Sequence, residues 1–113
     1  MAKIECTLHG DYDTFLEYIQ TGLLNKSASA SYEDGSNYQS GPVRCAVRVF
    51  ERYSYSGGNR VSLNLTLVEV EDNELFLSAI TAGGSQAMLF KINTWGEESF
   101  LDTLRELIDH WPQ

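Results

Sequence analysis

The feature that most constrains this chain is a two-residue alternation that recurs, across a short polar break, from Val43 to Leu67. Val43, Cys45, Val47 and Val49 alternate with Arg44, Ala46, Arg48 and Phe50. Val61, Leu63, Leu65 and Leu67 then alternate with Ser62, Asn64 and Thr66. Successive side chains of a strand point to opposite faces, so this period belongs to strands and not to helices. At Val68 and Val70 the apolar parity switches, which predicts a bulge or a strand running past the core. Two further runs, Leu75 to Thr81 and Ala87 to Ile92, are nearly all apolar. The breaks Ser56-Gly57-Gly58-Asn59, Glu71-Asp72-Asn73 and Gly83-Gly84-Ser85-Gln86 are short and turn-like. An antiparallel meander follows.

Lys3 to Leu8 is a further strand, with Ile4, Cys6 and Leu8 on one face. Gly10-Asp11-Tyr12-Asp13 supplies a turn and candidate helix caps, since an aspartate accepts from the unpaired N–H groups of a first turn. Phe15, Leu16, Ile19 and Leu23 recur at helical spacing, and Gly22 marks a candidate end. In residues 27–41 the Ser/Ala alternation up to Ala30 reads as a weak strand of small residues. Asp34-Gly35-Ser36-Asn37 and Gly41-Pro42 read as turn chemistry. Thr94 and Glu97 match a capping box. Phe100, Leu101, Leu104, Leu107, Ile108 and Trp111 form an apolar stripe before Pro112, which predicts a helix from about 95 to 111.

The resulting order, β-α-β-β-β-β-β-α, is a two-layer α+β fold. One-sided strands and one-sided helices bury their faces together, so the meander packs on the long C-terminal helix. The first strand is expected beside the last. This topology resembles a reduced form of the helix-grip arrangement of the START and Bet v1-like superfamily, with one helix in place of two after the first strand. The blocks RCAVRVFERYSYSGGNRVSLNLTL (44–67), SAITAGGSQAMLFKINTWGEESFLDTL (78–104) and GDYDTFLEYI resemble a family of small, uncharacterised bacterial proteins of Firmicutes. That resemblance implies a single-domain bacterial protein and assigns no chemistry to any residue.

With 113 residues, one domain over 1–113 is expected, large enough to need neither disulfide nor metal. Sixteen acidic against eight basic residues give −8, which disfavours nucleic acid and anionic membranes as partners. No apolar run approaches the ~18 residues of a membrane span. Cys6 and Cys45 sit among apolar neighbours without a CxxC pattern, and the first ten residues carry no secretory pattern. A cytoplasmic location is the expectation.

Catalytic parts are scarce. Ser85 has no GxSxG elbow, and two histidines and two cysteines at 9, 110, 6 and 45 lack metal-ligand spacing. No cofactor is expected. Glu97, Glu98 and Asp102 sit early in the last helix, where its dipole favours them. The Gly-Gly breaks lack the lysine and following helix of a phosphate loop and read as hairpin turns. Meander topology nevertheless suggests a shared rim, on which His9, Asn59, Arg60, Ser85, Gln86 and His110 would ring a cavity mouth. Ordinary polar loops are the plainer alternative.

Arg44, Arg48 and Arg52 share one face of one strand and span about 26 Å at ~3.3 Å per residue. They read either as a stripe for an acidic partner, with Tyr53 and Tyr55 beside it, or as cross-strand partners of Glu33, Asp34 and Glu69. Ser27 to Ser31 put small side chains on an edge, which would leave room for a hydrophobic ligand or a second copy. The leading functional expectation is a non-catalytic module binding a small or hydrophobic ligand between sheet and C-terminal helix. The rival is an interaction or homodimerisation module using a sheet edge or the arginine face. An enzyme of unrecognised chemistry ranks third.

Overall fold

The computed structural model describes residues 1–53, 60–83 and 90–112, with the backbone alone for 90–98. Its elements are β1 (Ala2–His9), α1 (Tyr12–Lys26), β2 (Ser31–Ser40), β3 (Val43–Tyr53), β4 (Arg60–Glu71), β5 (Glu74–Gly83) and α2 (Phe90–Asp109). The described strands form one antiparallel sheet in the order β1-β5-β4-β3-β2. The α+β meander is therefore present, with β1 beside the last described strand. Among the described residues, no helix is long and apolar enough to cross a membrane.

Register fixes the two faces. Leu67 stands between Ala46 and Leu77, and Leu63 between Phe50 and Thr81. The buried strand residues, among them Ala46, Phe50, Leu63, Leu65, Leu67, Leu75, Leu77 and Ala79, all lie on one side. Phe15, Ile19 and Leu23 of α1 and Phe100, Leu101 and Leu104 of α2 close that side completely. A Leu or Phe wholly withdrawn from water contributes about 1.5–3 kcal/mol, so this continuous cluster is the main source of stability.

Four local expectations are corrected. The fifth strand of the predicted meander, at 87–92, is not formed at its far end. Phe90 to Ile92 begin α2, while 87–89 lie outside the described residues. The helix thus starts before Thr94 and ends at Asp109. Gly22 does not terminate α1, which continues to Lys26. Residues 31–40, read as turn chemistry over Asp34–Asn37, form a ten-residue strand, while Ser27 to Ala30 form the turn before it. Polar residues of low strand preference pair here because β3 offers them its free edge. Other readings match. Asp11 caps α1, its carboxylate accepting from the Thr14 N–H at 2.9 Å. The register slips between Glu69 and Glu71, where the parity of Val68 and Val70 pointed to a bulge.

Candidate functional site

Alternation left either side of β3 eligible for the core, and the structure buries the arginine-bearing side. Ala46 and Phe50 are fully buried on the face that carries Arg44, Arg48 and Arg52. The stripe therefore runs beneath α1. Its three guanidiniums meet residues seven apart in the chain. Arg44 Nη2 donates to Asp13 Oδ1 at 2.6 Å, Arg48 Nε to Gln20 Oε1 at 2.6 Å, and Arg52 Nη1 to Ser27 Oγ at 3.5 Å. Seven helical residues rise ~10.5 Å and four strand residues ~13 Å, close enough for long side chains to stay in step. Of the acids named for cross-strand pairing, Glu69 stands opposite Arg44 in register, and Glu33 pairs with Arg60. Arg60 also pairs with Glu51 and lies over the Tyr53 ring.

A cleft of about 390 Å³ opens where the first half of α1 faces the β2–β3 ribbon. Tyr12, Asp13 and Leu16 form one wall, Asn37 and Gln39 another, and Arg44 and Arg48 its floor. Arg48 is heavily engaged. Besides Gln20, it donates to the Ser36 carbonyl at 3.1 Å, the Val47 carbonyl at 2.9 Å and Asn37 Oδ1 at 2.8 Å. It holds β2 to β3 and α1 at the bulge between Tyr32 and Asp34.

Arg44 differs. Its guanidinium lies over the Tyr12 ring, 4.1 Å from the centroid, and its hydrogen-bond partner among the described residues is Asp13. A guanidinium has five N–H donors in a fixed fork, so the Asp13 bond leaves most of that capacity to other acceptors at a residue that lines the cleft. The Asp13 hydrogen bond holds the Arg44 proton still more firmly than usual. Burial pushes the Tyr12 phenol up, against the opposing pull of Arg44. Both groups therefore keep their protons near neutrality, and the cleft offers donors and a cation in place of a base.

The proposed rim is not assembled as expected. His9 pairs with Glu74, whereas Arg60 pairs with Tyr53 beyond the Val61–Gly83 pair, at the opposite end of the sheet. The cause is direction: β1 runs antiparallel to β5, so the turn after β1 falls where β5 begins. His9 and His110 do share an end. There the Trp111 indole donates to the His9 carbonyl at 2.9 Å, and the ring packs on Phe15 and Tyr18 at 5.0 and 5.1 Å between centroids. His110 Nδ1 lies 2.7 Å from the Glu106 carbonyl, which can only accept, so that nitrogen carries the proton. Asn59, Ser85 and Gln86 lie outside the described residues. No group of three or more His, Cys, Asp or Glu side chains converges to hold a metal among the described residues.

The wording of the chain decides its kinship, because one family model matches residues 1–112. The chain belongs to DUF6054, a family of unknown function. A search of curated proteins finds no match. In this DUF6054 chain, Tyr12, Asp13, Asn37 and Gln39 are the cleft residues that the sequence reading missed. The signal for Tyr12 and Asp13 was their place in the first helical turn. For Asn37 and Gln39 there was none, because their segment read as a loop.

Proposed function

We propose that this chain is a non-catalytic binding module for a small molecule bearing a carboxylate or phosphate, anchored by Arg44 in the cleft between α1 and the β2–β3 ribbon. The carrying observation is the Arg44 guanidinium, stacked on Tyr12 and spending one described hydrogen bond on Asp13 at the floor of that cleft. Two cations and one carboxylate line it, a local excess of positive charge in a chain of net charge −8. Such a site accepts a compact anion, while the surrounding acidity, acting within the ~8 Å Debye length, repels a polyanion that extends past the cleft.

Polarity moves the ligand from the hydrophobic class to the anionic one. It also moves the site away from the packed layer between sheet and α2, where Leu63, Phe100 and Leu104 are fully buried. The analogy to helix-grip domains, an antiparallel sheet closed by a C-terminal helix, supports a binding role in general terms. Two unpaired thiols, Cys6 and Cys45, support a cytoplasmic site of action.

Amide chemical shifts followed during titration with inorganic phosphate, and separately with citrate, test the reading. Perturbations concentrated at residues 12–16, 37–39 and 44–48 are expected. Arg44→Gln should weaken binding about tenfold or more while leaving the spectrum dispersed. Shifts scattered over the surface, or equal in wild type and Arg44→Gln, would sink the proposal.

A second reading, an interaction module, is favoured by β2, whose ten residues are all exposed at the sheet edge. An uncovered edge presents unpaired backbone groups to another chain.

A further inference from the structure

The sheet has two faces, and every buried strand residue lies on the helix side. On the other side the register lines up three rows. Tyr38, Cys45, Val68, Phe76 and Thr7 form one, and Ser36, Val47, Thr66, Ser78 and Glu5 the next. Asp34, Val49, Asn64, Ile80 and Lys3 form the third. The nine central positions on β3, β4 and β5 carry no charge, and six of them are Cys, Val, Ile or Phe. Charges stand at the margins, on Lys3, Glu5 and Asp34 at the sides and on Glu51 and Glu74 in the rows beyond. A charge-depleted centre with a polar rim is the anatomy of a protein interface and not of a solvated sheet. Phe76 and Ile80 remain 39% and 40% exposed there.

We propose that this open face is a homodimer interface, two copies stacking sheet on sheet about a two-fold axis that runs along β4. This goes beyond ligand binding and does not depend on it. Size is the first argument. Five strands at ~4.8 Å and about ten residues at ~3.3 Å give a whole face near 24 by 33 Å, close to the ~800 Å² per partner of a standard interface, with the three rows as its uncharged centre and the Glu51 and Glu74 rows as its rim.

Self-complementarity is the second. A two-fold along the central strand exchanges β1 with β2 and β5 with β3 while keeping each row, as an isologous contact requires. Lys3 of one copy then meets Asp34 of the other. Ile80 meets Val49, Phe76 meets Cys45, Thr7 meets Tyr38, and Val68 meets its own counterpart. Ile80, Val49, Phe76, Cys45 and Val68 fall on one another, Val47 falls on Ser78, and the Lys3 cation falls on a carboxylate. Stacked sheets keep their strands within about 30°, so this pairing survives the twist.

Sedimentation velocity on the full chain tests the proposal. Wild type should run as a dimer of the 12.7 kDa chain at micromolar concentration. Ile80→Glu and Val49→Glu should each weaken the dimer about a hundredfold, because a buried, unpaired carboxylate is set against the partner. Their circular dichroism should match wild type, and Ile80 is the safer site because it is already part exposed. Lys3→Asp should weaken the dimer about tenfold, and Lys3→Asp combined with Asp34→Lys should restore it. A wild type that stays monomeric at high micromolar concentration overturns the proposal. So does a dimer that survives Ile80→Glu, including one that dissociates only when Asn37→Pro breaks the β2 edge.

Discussion

Asp11 shows how one side chain sets a boundary. Its Oδ2 accepts from the backbone N–H of Thr14 and from the Thr14 hydroxyl at 2.9 and 2.8 Å. The backbone bond, with the hydroxyl behind it, holds the carboxyl below its ordinary value of 3.8. A lowered folded-state pKa means that the stabilisation is fully present above 3.8. It fades as the pH falls from there through the lowered value. Asp11→Ala should therefore lower the melting temperature by a few degrees at neutral pH, with the gap narrowing as the pH falls below 3.8. Thermal unfolding of both proteins across pH 2–7 checks it, and a gap independent of pH would assign the effect to something other than the cap.

Between elements, α1 packs tightly on α2 at Gly22. A Cβ on Gly22 would come within 2.5 Å of Leu107 Cδ2, so the glycine is a packing choice. Tyr18 adds a hydrogen bond from its hydroxyl to the Leu107 carbonyl at 2.6 Å. Helix propensity alone predicts that Gly22→Ala stabilises by up to about 1 kcal/mol, while overpacking costs about 1–3 kcal/mol. A net loss of about 1 kcal/mol is expected in urea unfolding. A gain would show that Leu107 has room to rotate away. Local sequence found α1 but misread Gly22 as its end, because a contact 85 positions along the chain decides the matter and propensity does not see it.

For the whole molecule, closure depends on the two ends meeting. Gly10, at φ 157°, lets the Trp111 ring lie against the backbone, where a Cβ would come within 2.7 Å of the indole. Trp111 joins the turn after β1 to the end of α2 through the His9 carbonyl and through Phe15 and Tyr18. Trp111→Ala should cost about 2–3 kcal/mol of unfolding free energy, below the range for a fully buried tryptophan because the ring is only half-buried. Trp111→Phe, which keeps a ring but loses the N–H donor, should cost about 1 kcal/mol. Equal losses in the two variants would locate the contribution in the hydrogen bond instead of the stacking.

The sequence by itself determined the α+β class, the identity of most core side chains on β4 and α2, and the cap of α1. In each case a single face of a single element carries the information, and burial of that face is additive along it. Tertiary structure alone decided three things. It chose which side of β3 is the core, because Ala46 and Phe50 share that side with arginines whose guanidiniums find Asp13, Gln20 and Ser27 along α1 and its end. It made a strand of residues 31–40, because hydrogen bonding to β3 supplies what their composition lacks. It also built the cleft from α1 and β2, elements whose approach is set by Arg48 bridging both, and no spacing along the chain records that approach.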